Sequence, residues 1–501
     1  MNLKKVFLIL FIFIISTLGI FIYIYYPNKY IKYTNLEEGY TLKYPSHMEI
    51  HNSLGHVKTI ISNENMKIEI YYDNFKNTHS SPLAYMNYSN KFLENNKDHI
   101  RELQKTTYVN GKKIHLLKWK RNKLPNVEND KNYYVSAEIL KNKYEVYTIL
   151  IKSSNPLKNT SDYMNIIRTF KIINKNEKIN NVYNTPSFEN PKEPLNKETM
   201  LFLKEYFLEN NNLKWGIYEH TAPEDFHFLK TLEKKLDYSF KFLVKYQSFT
   251  SGSFPTKEMI NAHNNNRHVL LTLQTIHLDH KDNSSVMYDI LKGKYDDFFN
   301  SYAKDIKGFK HPVIFRLNNE MNGDWCFYSS YYYSKDPDIF KEVWKYVYRI
   351  FQSNKVDNVL WVWNPHDISF PDFKWNHYLN YYPGDEYVHI VGLTGYNTGT
   401  YYEGEKWRDF NDIYIPMYND YMKYFNKPFM ITEFGSNSVG GNKEKWVNEM
   451  FSSIQKFKNI KIAIWWNGID WDSNMNPARV YRLDENENII QIFKDGLKDY
   501  K

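Results

Sequence analysis

Residues 359–363 read VLWVW, five apolar residues in succession. A strand that is covered on one face alternates apolar and polar residues, whereas a strand covered on both faces is apolar throughout. All-parallel sheets are the ones that carry helices on both faces. The stretch therefore predicts a central strand of a parallel sheet.

Similar short apolar runs recur through the carboxyl-terminal part of the chain, with longer helix-like stretches between them. Together with the first stretch they make eight, at residues 213–220, 240–249, 267–276, 312–320, 359–365, 389–397, 428–436 and 462–470. Strands that alternate with helices form a parallel sheet, and eight such units close into a barrel. We therefore predict an α/β fold, a (β/α)₈ TIM barrel, over residues 199–501. Its active site is expected at the carboxyl ends of the strands.

Two of the predicted strands end in a glutamate: Glu320 closes the fourth run, and Glu433 lies near the end of the seventh. Hydrolysis of a glycosidic bond with retention uses two carboxyl groups about 5–5.5 Å apart. One attacks the anomeric carbon, and the other has a raised pKa, protonates the leaving oxygen and then activates water. A single glutamate at a strand end is more often a solvated loop residue. The presence of both predicts Glu320 as general acid/base and Glu433 as nucleophile.

The sequence around these glutamates resembles the clan A glycoside hydrolases, and most closely glycoside hydrolase family 26, the β-mannanase family. The acid/base motif of that family is Arg-x-x-His-Glu-Met-Asn-Gly-x-Trp. Residues 316–325, RLNNEMNGDW, match it position by position from the arginine to the tryptophan, except that Asn319 stands where the motif has histidine. TEFG at residues 432–435 matches the nucleophile motif, and WVWNP at 361–365 and GLTGYN at 392–397 resemble strands five and six of the family.

Five more residues near these motifs are candidates for supporting roles, and the resemblance implies the first three of them. Tyr396 would donate a hydrogen bond to the nucleophile, and Trp465, with Trp466, would form an aromatic floor on strand eight. Trp325 is interpreted as a sugar platform, with a simple loop anchor as the alternative. Arg316 either holds a catalytic carboxylate ionised or forms an ordinary ion pair of the core.

Asn319 is the one departure from the motif, since the family usually has histidine before the acid/base. Elsewhere in clan A an asparagine at this place binds the 2-hydroxyl of the sugar, which is axial in mannose. We predict a retaining endo-β-glycosidase with β-1,4-mannan as the first candidate substrate. The alternatives are an endo-β-glucanase acting on cellulose-like, mixed-linkage or other envelope polysaccharides, a catalytically silent carbohydrate-binding surface protein, and a hydrolase of peptidoglycan or glycolipid.

The amino terminus carries a localisation signal. Lys4 and Lys5 precede an uncharged apolar run at residues 6–26. About 20 apolar residues span a bilayer as a helix, and the basic flank stays in the cytoplasm. A cleaved signal peptide would need small residues at its cleavage site, and IYIYYP at 22–27 lacks them. We expect residues 1–30 to be a transmembrane signal anchor, which makes the chain a single-pass membrane protein with an extracellular catalytic domain.

Between the anchor and the barrel, residues 35–175 predict a small α+β domain. Asn110-Gly111 between two strand-like runs is a strong hairpin signal, and residues 83–103 favour a helix. GYTLKYP at 39–45 and IRTF at 167–170 resemble the small PsbP-like domains of bacterial lipoproteins. We interpret the domain as a spacer or wall-binding module. Residues 176–198, rich in Asn, Lys, Glu and Pro, predict a linker.

Charge and cysteine content exclude several classes of protein. The net charge of +8 is spread thinly along the chain, without the dense arginine stripe that follows phosphates, so we expect no nucleic-acid partner. The single cysteine, Cys326, excludes intrachain disulfides and cysteine-based zinc sites. We expect no metal and no cofactor, a polysaccharide as the substrate, the membrane as the other partner, and a monomer.

Overall fold

The computed structural model describes residues 30–77, 81–158, 161–175, 191–192, 194–209, 212–279 and 282–501. Residues 1–29 of the expected anchor and most of the expected linker lie outside this part of the chain. Among the helices within it, none is both long and apolar enough to cross a bilayer. The chain divides into two compact units, the second of which comprises Leu83–His99, Leu124–Glu128 and Asn184–Lys501.

The first unit is a small α+β domain. Its strands are β1 (Tyr30–Asn35), β2 (Tyr40–Pro45), β3 (Glu49–His51), β4 (Thr59–Ser62), β5 (Met66–Asn74), β6 (His99–Val109), β7 (Lys112–Arg121), β8 (Tyr133–Leu140), β9 (Glu145–Ser153) and β10 (Lys171–Ile172). Seven form one sheet in the order β3-β4-β5-β9-β8-β7-β6, and the others form a second sheet in the order β1-β2-β10. Helix α1 (Pro82–Tyr88) follows β5 in the sequence but belongs to the second unit from Leu83 onward, whereas helix α2 (Ser161–Thr169) packs within the first unit.

Strand alternation decides which residues of this unit form its core. Ile68 and Ile70 of β5 join Ile166 and Ile167 of α2 in one apolar cluster. Glu69, between the two isoleucines, is also fully buried and has Lys152 Nζ at 2.8 Å. The expected hairpin at Asn110 is present between β6 and β7. The helix predicted over residues 83–103 is wrong, because α1 ends at Tyr88 and strand β6 begins at His99.

The second unit contains the predicted barrel. Eight strands close on themselves in sequence order, and each strand is parallel to its neighbours. They are β11 (Lys214–Tyr218), β12 (Phe242–Ser248), β13 (His268–Gln274), β14 (Val313–Leu317), β15 (Val359–Trp363), β16 (Ile390–Asn397), β17 (Phe429–Ser436) and β18 (Ile460–Trp466). Each of the eight apolar runs contains one of these strands in whole or in most of its length, so the predicted (β/α)₈ barrel is confirmed.

Helices connect most of the strands and cover the outside of the barrel. They are α3 (Lys197–Leu203) before the barrel, then α4 (His227–Leu236), α5 (Thr256–Asn264), α6 (Val286–Leu291), α7 (Asp296–Phe309), α8 (Pro337–Ser353), α9 (Phe410–Tyr424), α10 (Lys443–Ile454) and α11 (Glu487–Gly496). After β18 the chain forms a hairpin of β19 (Ile469–Trp471) and β20 (Pro477–Val480). Residues 364–389, all of them described, hold three 3₁₀ turns and no α-helix. Prolines at 371 and 383 disfavour a longer helix there.

The barrel interior is apolar at one end and polar at the other. Leu270, Ile314 and Met430 fill the lower layers, and Phe202 of α3 packs against them from the amino ends of the strands. Along β14 the next inward position after Ile314 is Arg316, because inward positions recur at every second residue. The polar layer thus lies at the carboxyl ends of the strands, where parallel barrels carry their active sites.

Candidate active site

Glu320 stands on a backbone that takes the left-handed conformation twice within three residues. Asn318 has φ of 60° and Glu320 has φ of 52°, values that side chains other than glycine rarely adopt. Hydrogen bonds from neighbouring strands hold this turn: Asn318 N donates to Leu273 O at 2.9 Å, and Glu320 N donates to Asn364 O at 2.8 Å. The chain leaves β14 in a sharp turn that directs the Glu320 side chain toward the barrel mouth.

Glu433 reaches the interior through an irregularity of strand β17. In the pairing with β16, Leu393 lies opposite Ile431 but Thr394 lies opposite Glu433, so one additional residue enters β17. Such a bulge changes the direction of the side chains that follow it. Thr432 donates to Asn364 Oδ1 at 2.9 Å and Glu433 contacts Arg316, so both successive residues face the same interior.

Arg316 is the central cation of the site and is fully buried. Its Nη2 lies 2.5 Å from Glu433 Oε1. Its Nε donates to Thr272 Oγ1 at 2.8 Å, and its Nη1 donates to Asn364 Oδ1 at 2.6 Å. The sequence allowed Arg316 either to hold a catalytic carboxylate ionised or to form an ordinary ion pair of the core. In the structure its partner is Glu433, a candidate catalytic carboxylate. The guanidinium compensates the buried negative charge of Glu433.

Two tyrosines complete the surroundings of Glu433. Tyr396 OH donates to Glu433 Oε2 at 3.1 Å, which is the hydrogen bond that the resemblance implied. The ring of Tyr246 lies 5.6 Å from the Arg316 guanidinium carbon. Burial and the charge of Glu433 raise the pKa of both phenols well above their ordinary value. Both phenols are therefore neutral at physiological pH, and Tyr396 is the one that donates to Glu433.

Glu320 has a different electrostatic environment from Glu433. Burial raises the pKa of Glu320, and the negative charge of Glu433 raises it further. His366, the hydrogen bond from Trp325 and Arg316 act in the opposite direction, but burial prevails. Glu433 acts on Glu320 because the two residues follow and close strands β14 and β17 at the same end of one barrel. A carboxyl group with a raised pKa can carry a proton near neutral pH, as a general acid must.

Asn319 is almost fully buried beside Glu320. Its side-chain oxygen accepts hydrogen bonds from Gln274 Nε2 at 2.9 Å and from Tyr328 OH at 3.1 Å. These two donors fix the orientation of the amide. For its Nδ2 no acceptor is present within the part of the chain that the structure describes, which leaves that group available to an incoming hydroxyl.

Trp325 lies directly on the candidate acid/base. Its Nε1 donates to Glu320 Oε2 at 3.0 Å, and its ring meets the ring of His366 edge-on at 5.1 Å. The ring is nevertheless 49% exposed. This exposure favours the interpretation as a sugar platform, since a loop anchor would have its ring buried.

The expectation for Trp465 differs from the structure. Trp465 is fully buried, donates to Tyr481 O at 2.9 Å and packs on Trp446 of α10 and Phe493 of α11. It therefore faces the helices. Strand alternation is the reason, because Ile462 and Ile464 of β18 point inward and an odd-numbered residue between or after them points outward.

Trp466 is the tryptophan of β18 that faces the interior. Its ring stacks on Tyr218 at 5.2 Å and 9° and meets Tyr396 edge-on at 6.2 Å. Tyr218, Tyr246 and Asn364 had not been predicted as site residues. A signal for all three is present in the sequence, since each lies at an inward position near the carboxyl end of its strand.

Four histidines that are not among the predicted site residues have distinct surroundings. His366 lies at the site, against Trp325. His220, at the end of β11, is exposed and pairs with Glu219 at 2.7 Å. His311 and His263, with Glu198, bring three potential ligand atoms within 4.8 Å of one another. That cluster lies at the amino ends of the strands, away from the two glutamates, and takes no part in their chemistry.

Comparison with known proteins agrees with this geometry. Residues 267–477 match the family model described as glycosyl hydrolase family 26. The matched segment includes strands β14 and β17 with both glutamates.

Individual relatives carry two different names. Endoglucanase H of Acetivibrio thermocellus is 28% identical over 278 residues, which cover 54% of this chain and 29% of that protein. Mannan endo-1,4-beta-mannosidase of Bacillus subtilis is 30% identical over 173 residues, covering 33% of this chain and 42% of that protein. The chain thus spans less than half the length of these curated relatives.

The solved structure of Bacillus subtilis mannanase man26 is 19% identical, with a TM-score of 0.41 and coverage of 58% of this chain and 92% of that one. The family match and the relatives confirm the resemblance drawn from residues 316–325 and 432–435. Over residues 267–477, the barrel-forming part of the chain is similar to glycosyl hydrolase family 26.

Proposed function

We propose that this protein is a retaining endo-β-glycosidase, with Glu433 as nucleophile and Glu320 as general acid/base. The observation that carries the proposal is the difference between the two carboxyl groups. Glu433 is paired with the buried Arg316 at 2.5 Å, whereas burial and the charge of Glu433 raise the pKa of Glu320. Two interacting carboxyls in environments that separate their protonation states are what retaining hydrolysis requires.

The reaction proceeds in two displacements. Glu433 attacks the anomeric carbon while Glu320 gives its proton to the glycosidic oxygen, so the bond to the leaving sugar breaks and a covalent glycosyl ester forms. Glu320, now a carboxylate, removes a proton from water, and the resulting oxygen displaces Glu433 from the anomeric carbon. Tyr396 and Arg316 hold the Glu433 oxygens in place through the bonds described above.

The first candidate substrate is a β-1,4-mannan. The name of the Bacillus subtilis relative supports it, as does the match to the glycosyl hydrolase family 26 model. A β-1,4- or mixed-linkage glucan is the second candidate. Asn319 in place of the histidine of the motif supports that one, together with the name of the Acetivibrio relative.

We further propose that residues 1–30 anchor the chain in the cell membrane, with the barrel outside, where it acts as a monomer on envelope polysaccharide. The apolar run at residues 6–26 after Lys4 and Lys5 supports this placement. The test is membrane fractionation of cells that express the full chain. Release by detergent but not by alkaline carbonate is expected, and recovery from the medium with a new amino terminus beyond Tyr26 would refute the anchor.

Digestion of a polysaccharide panel tests the activity. The full chain, extracted in detergent, is incubated with β-1,4-mannan, glucomannan, mixed-linkage glucan, carboxymethylcellulose and xylan, and new reducing ends are counted. Glu320→Ala and Glu433→Ala are expected to lose roughly a hundredfold or more of the activity. Activity that survives in either variant would refute the assignment of the pair, and an inactive wild-type chain would favour a purely carbohydrate-binding protein.

Reaction with azide distinguishes the nucleophile, Glu433, from the general acid/base, Glu320. A small anion that enters the cavity of Glu433→Ala attacks the sugar directly and gives the α-glycosyl azide from a β-linked substrate. In Glu320→Ala the azide attacks the glycosyl ester of Glu433 and gives the β-azide, because two inversions have then occurred. Glu219→Gln is the matched control, since Glu219 is equally buried at the end of β11 but accepts hydrogen bonds from the backbone of Thr221 and Ala222.

A further inference from the structure

The segment 83–99 lies between strands β5 and β6 in the sequence but belongs to the barrel unit. Its contacts with the barrel are extensive. Trp375 Nε1 donates to the buried Ser89 Oγ at 3.3 Å, and the rings of Tyr85 and Phe373 meet edge-on at 4.2 Å. His99 Nε2 lies 2.9 Å from Tyr288 OH. The segment is therefore a fixed part of the barrel surface.

Tyr88 is the residue by which this segment reaches the loop of the candidate acid/base. Its hydroxyl donates to the carboxylate of Asp324, the residue next to Trp325. Its ring packs on Tyr331 at 4.9 Å and meets Phe370 edge-on at 6.4 Å. Since Asp324 and Tyr331 follow β14 and Phe370 follows β15, Tyr88 bridges two of the loops at the barrel mouth.

Three exposed rings thereby form a row that begins at Glu320. Trp325 donates to Glu320 Oε2 at 3.0 Å, the rings of Trp325 and Phe370 lie 6.4 Å apart at 30°, and Tyr88 follows. The exposed fractions of the three side chains are 49%, 51% and 40%. Adjacent aromatic rings that stay exposed on a well-packed surface indicate a ligand site, since exposed apolar patches generally mark binding.

We propose that Tyr88 and Phe370 extend the substrate groove on the leaving-group side, where they bind the saccharide units released in the first step. The proposal rests on the proposed function and names the side of the groove. Glu320 protonates the oxygen of the leaving sugar, so the rings that continue outward from Glu320 meet that part of the chain. Glu433, in contrast, contacts Arg316 and Tyr396.

The chemistry of the rings fits a neutral β-linked polysaccharide. The apolar C–H faces of pyranose rings pack on aromatic side chains, and the equatorial hydroxyls at the sugar edge remain in water. The row requires a chain of at least several sugar units, because Tyr88 lies two rings beyond Trp325. Residues 83–99, which belong to the barrel unit although they precede the barrel strands in the sequence, thus supply a part of the groove.

Kinetics of Tyr88→Ala on long and short substrates test the proposal in the full chain. The long substrate is β-1,4-mannan or mixed-linkage glucan, whichever the wild-type chain cleaves. The short one is the 4-nitrophenyl β-glycoside of the matching disaccharide, whose leaving group ends near Trp325. We expect KM for the polysaccharide to rise by roughly tenfold, with the kinetics of the short substrate unchanged. Tyr108→Ala, which removes a tyrosine that is 70% exposed on β6, is the matched control.

A second readout reports on the leaving-group side alone. In a retaining reaction the glycosyl ester partitions between water and an acceptor sugar bound on that side. Tyr88→Ala is therefore expected to lower the ratio of transglycosylation to hydrolysis. Tyr88→Phe keeps the ring but removes the bond to Asp324, and it is expected to behave like the wild-type chain in both measurements.

The outcomes separate this inference from the proposed function. A wild-type chain that cleaves neither polysaccharide overturns the proposed function and this inference with it. A wild-type chain that is active, with Tyr88→Ala unchanged on the long substrate, overturns the inference alone. Equal losses on long and short substrates, or a Tyr88→Phe variant as poor as Tyr88→Ala, would assign Tyr88 to the anchoring of the Asp324 loop and would equally overturn it.

Discussion

Arg316 Nη2 lies 2.5 Å from Glu433 Oε1, and both side chains are buried. The pair joins strand β14 to strand β17 across the mouth of the barrel. Removal of one member of a buried pair leaves an uncompensated charge, which is usually more costly than removal of both.

The first prediction concerns the stability of that pair. Arg316→Met is expected to lower the free energy of unfolding by about 3–5 kcal/mol, because the Glu433 charge then lacks its partner. The double variant Arg316→Met with Glu433→Gln is expected to recover part of that loss. Urea unfolding of the wild type, both single variants and the double variant measures the coupling. Simple addition of the two single effects would contradict a direct interaction.

The second prediction concerns pH. Glu320 must be protonated to act as an acid, so kcat/KM falls as pH rises through the pKa of Glu320. The hydrogen bond from Trp325 lowers that pKa, since it favours the charged form. Trp325→Phe removes the bond, and the alkaline limb of the profile is expected to move to higher pH. Trp471→Phe alters an equally exposed tryptophan on β19 and serves as control. A limb that stays in place or moves to lower pH would exclude Glu320 as the acid.

The third prediction links the same carboxyl to stability. Burial raises the pKa of Glu320 above its value in the unfolded chain. Protonated Glu320 therefore contributes stability that is present below the unfolded pKa and is lost as pH rises through the folded pKa. Glu320→Gln is neutral at every pH, so it is expected to melt at a higher temperature than the wild type at neutral pH. The difference should shrink toward pH 4. Melting curves across this range that show a constant difference would contradict the raised pKa.

The fourth prediction uses the two neighbouring tryptophans of β18. Trp466→Ala is expected to lower kcat/KM by roughly tenfold or more, with a small change in stability, because its ring faces Tyr396 in the interior. Trp465→Ala is expected to lower the free energy of unfolding by about 3–5 kcal/mol through a cavity among the helices, with little change in kcat/KM of the folded protein. Loss of activity in Trp465→Ala and loss of stability in Trp466→Ala would mean that Trp465, and not Trp466, faces the barrel interior.

Much of the barrel follows from local sequence. The apolar run at residues 359–363 predicts β15 because a doubly covered strand needs apolar residues on both faces. The helix predicted at residues 83–103 is wrong beyond Tyr88, because here a distant contact outweighs the local pattern. The pattern suits a helix over Leu83–Tyr88, but the residues from His99 onward form strand β6 by pairing with β7.

The candidate site was predictable in part. Glu320 and Glu433 were predicted because each closes an apolar run, and the residues flanking them form two short motifs. The resemblance implies an aromatic floor of both Trp465 and Trp466, although the inward positions of β18, Ile462 and Ile464, already favour only the even-numbered residue. Tyr88 gave no signal, since it lies 236 residues before Asp324 in the sequence.

The sequence by itself determined the fold class, the strand ends at which two glutamates stand, and the resemblance to glycosyl hydrolase family 26. These depend on periodicity and on short motifs, which are properties of residues close together in the chain. Only the tertiary structure decided that Arg316 meets Glu433 and that a bulge turns Glu433 inward. It also decided that Tyr88 reaches the loop of Trp325. Such contacts join distant segments, and they arise from barrel closure and packing, which the local pattern of residues does not encode.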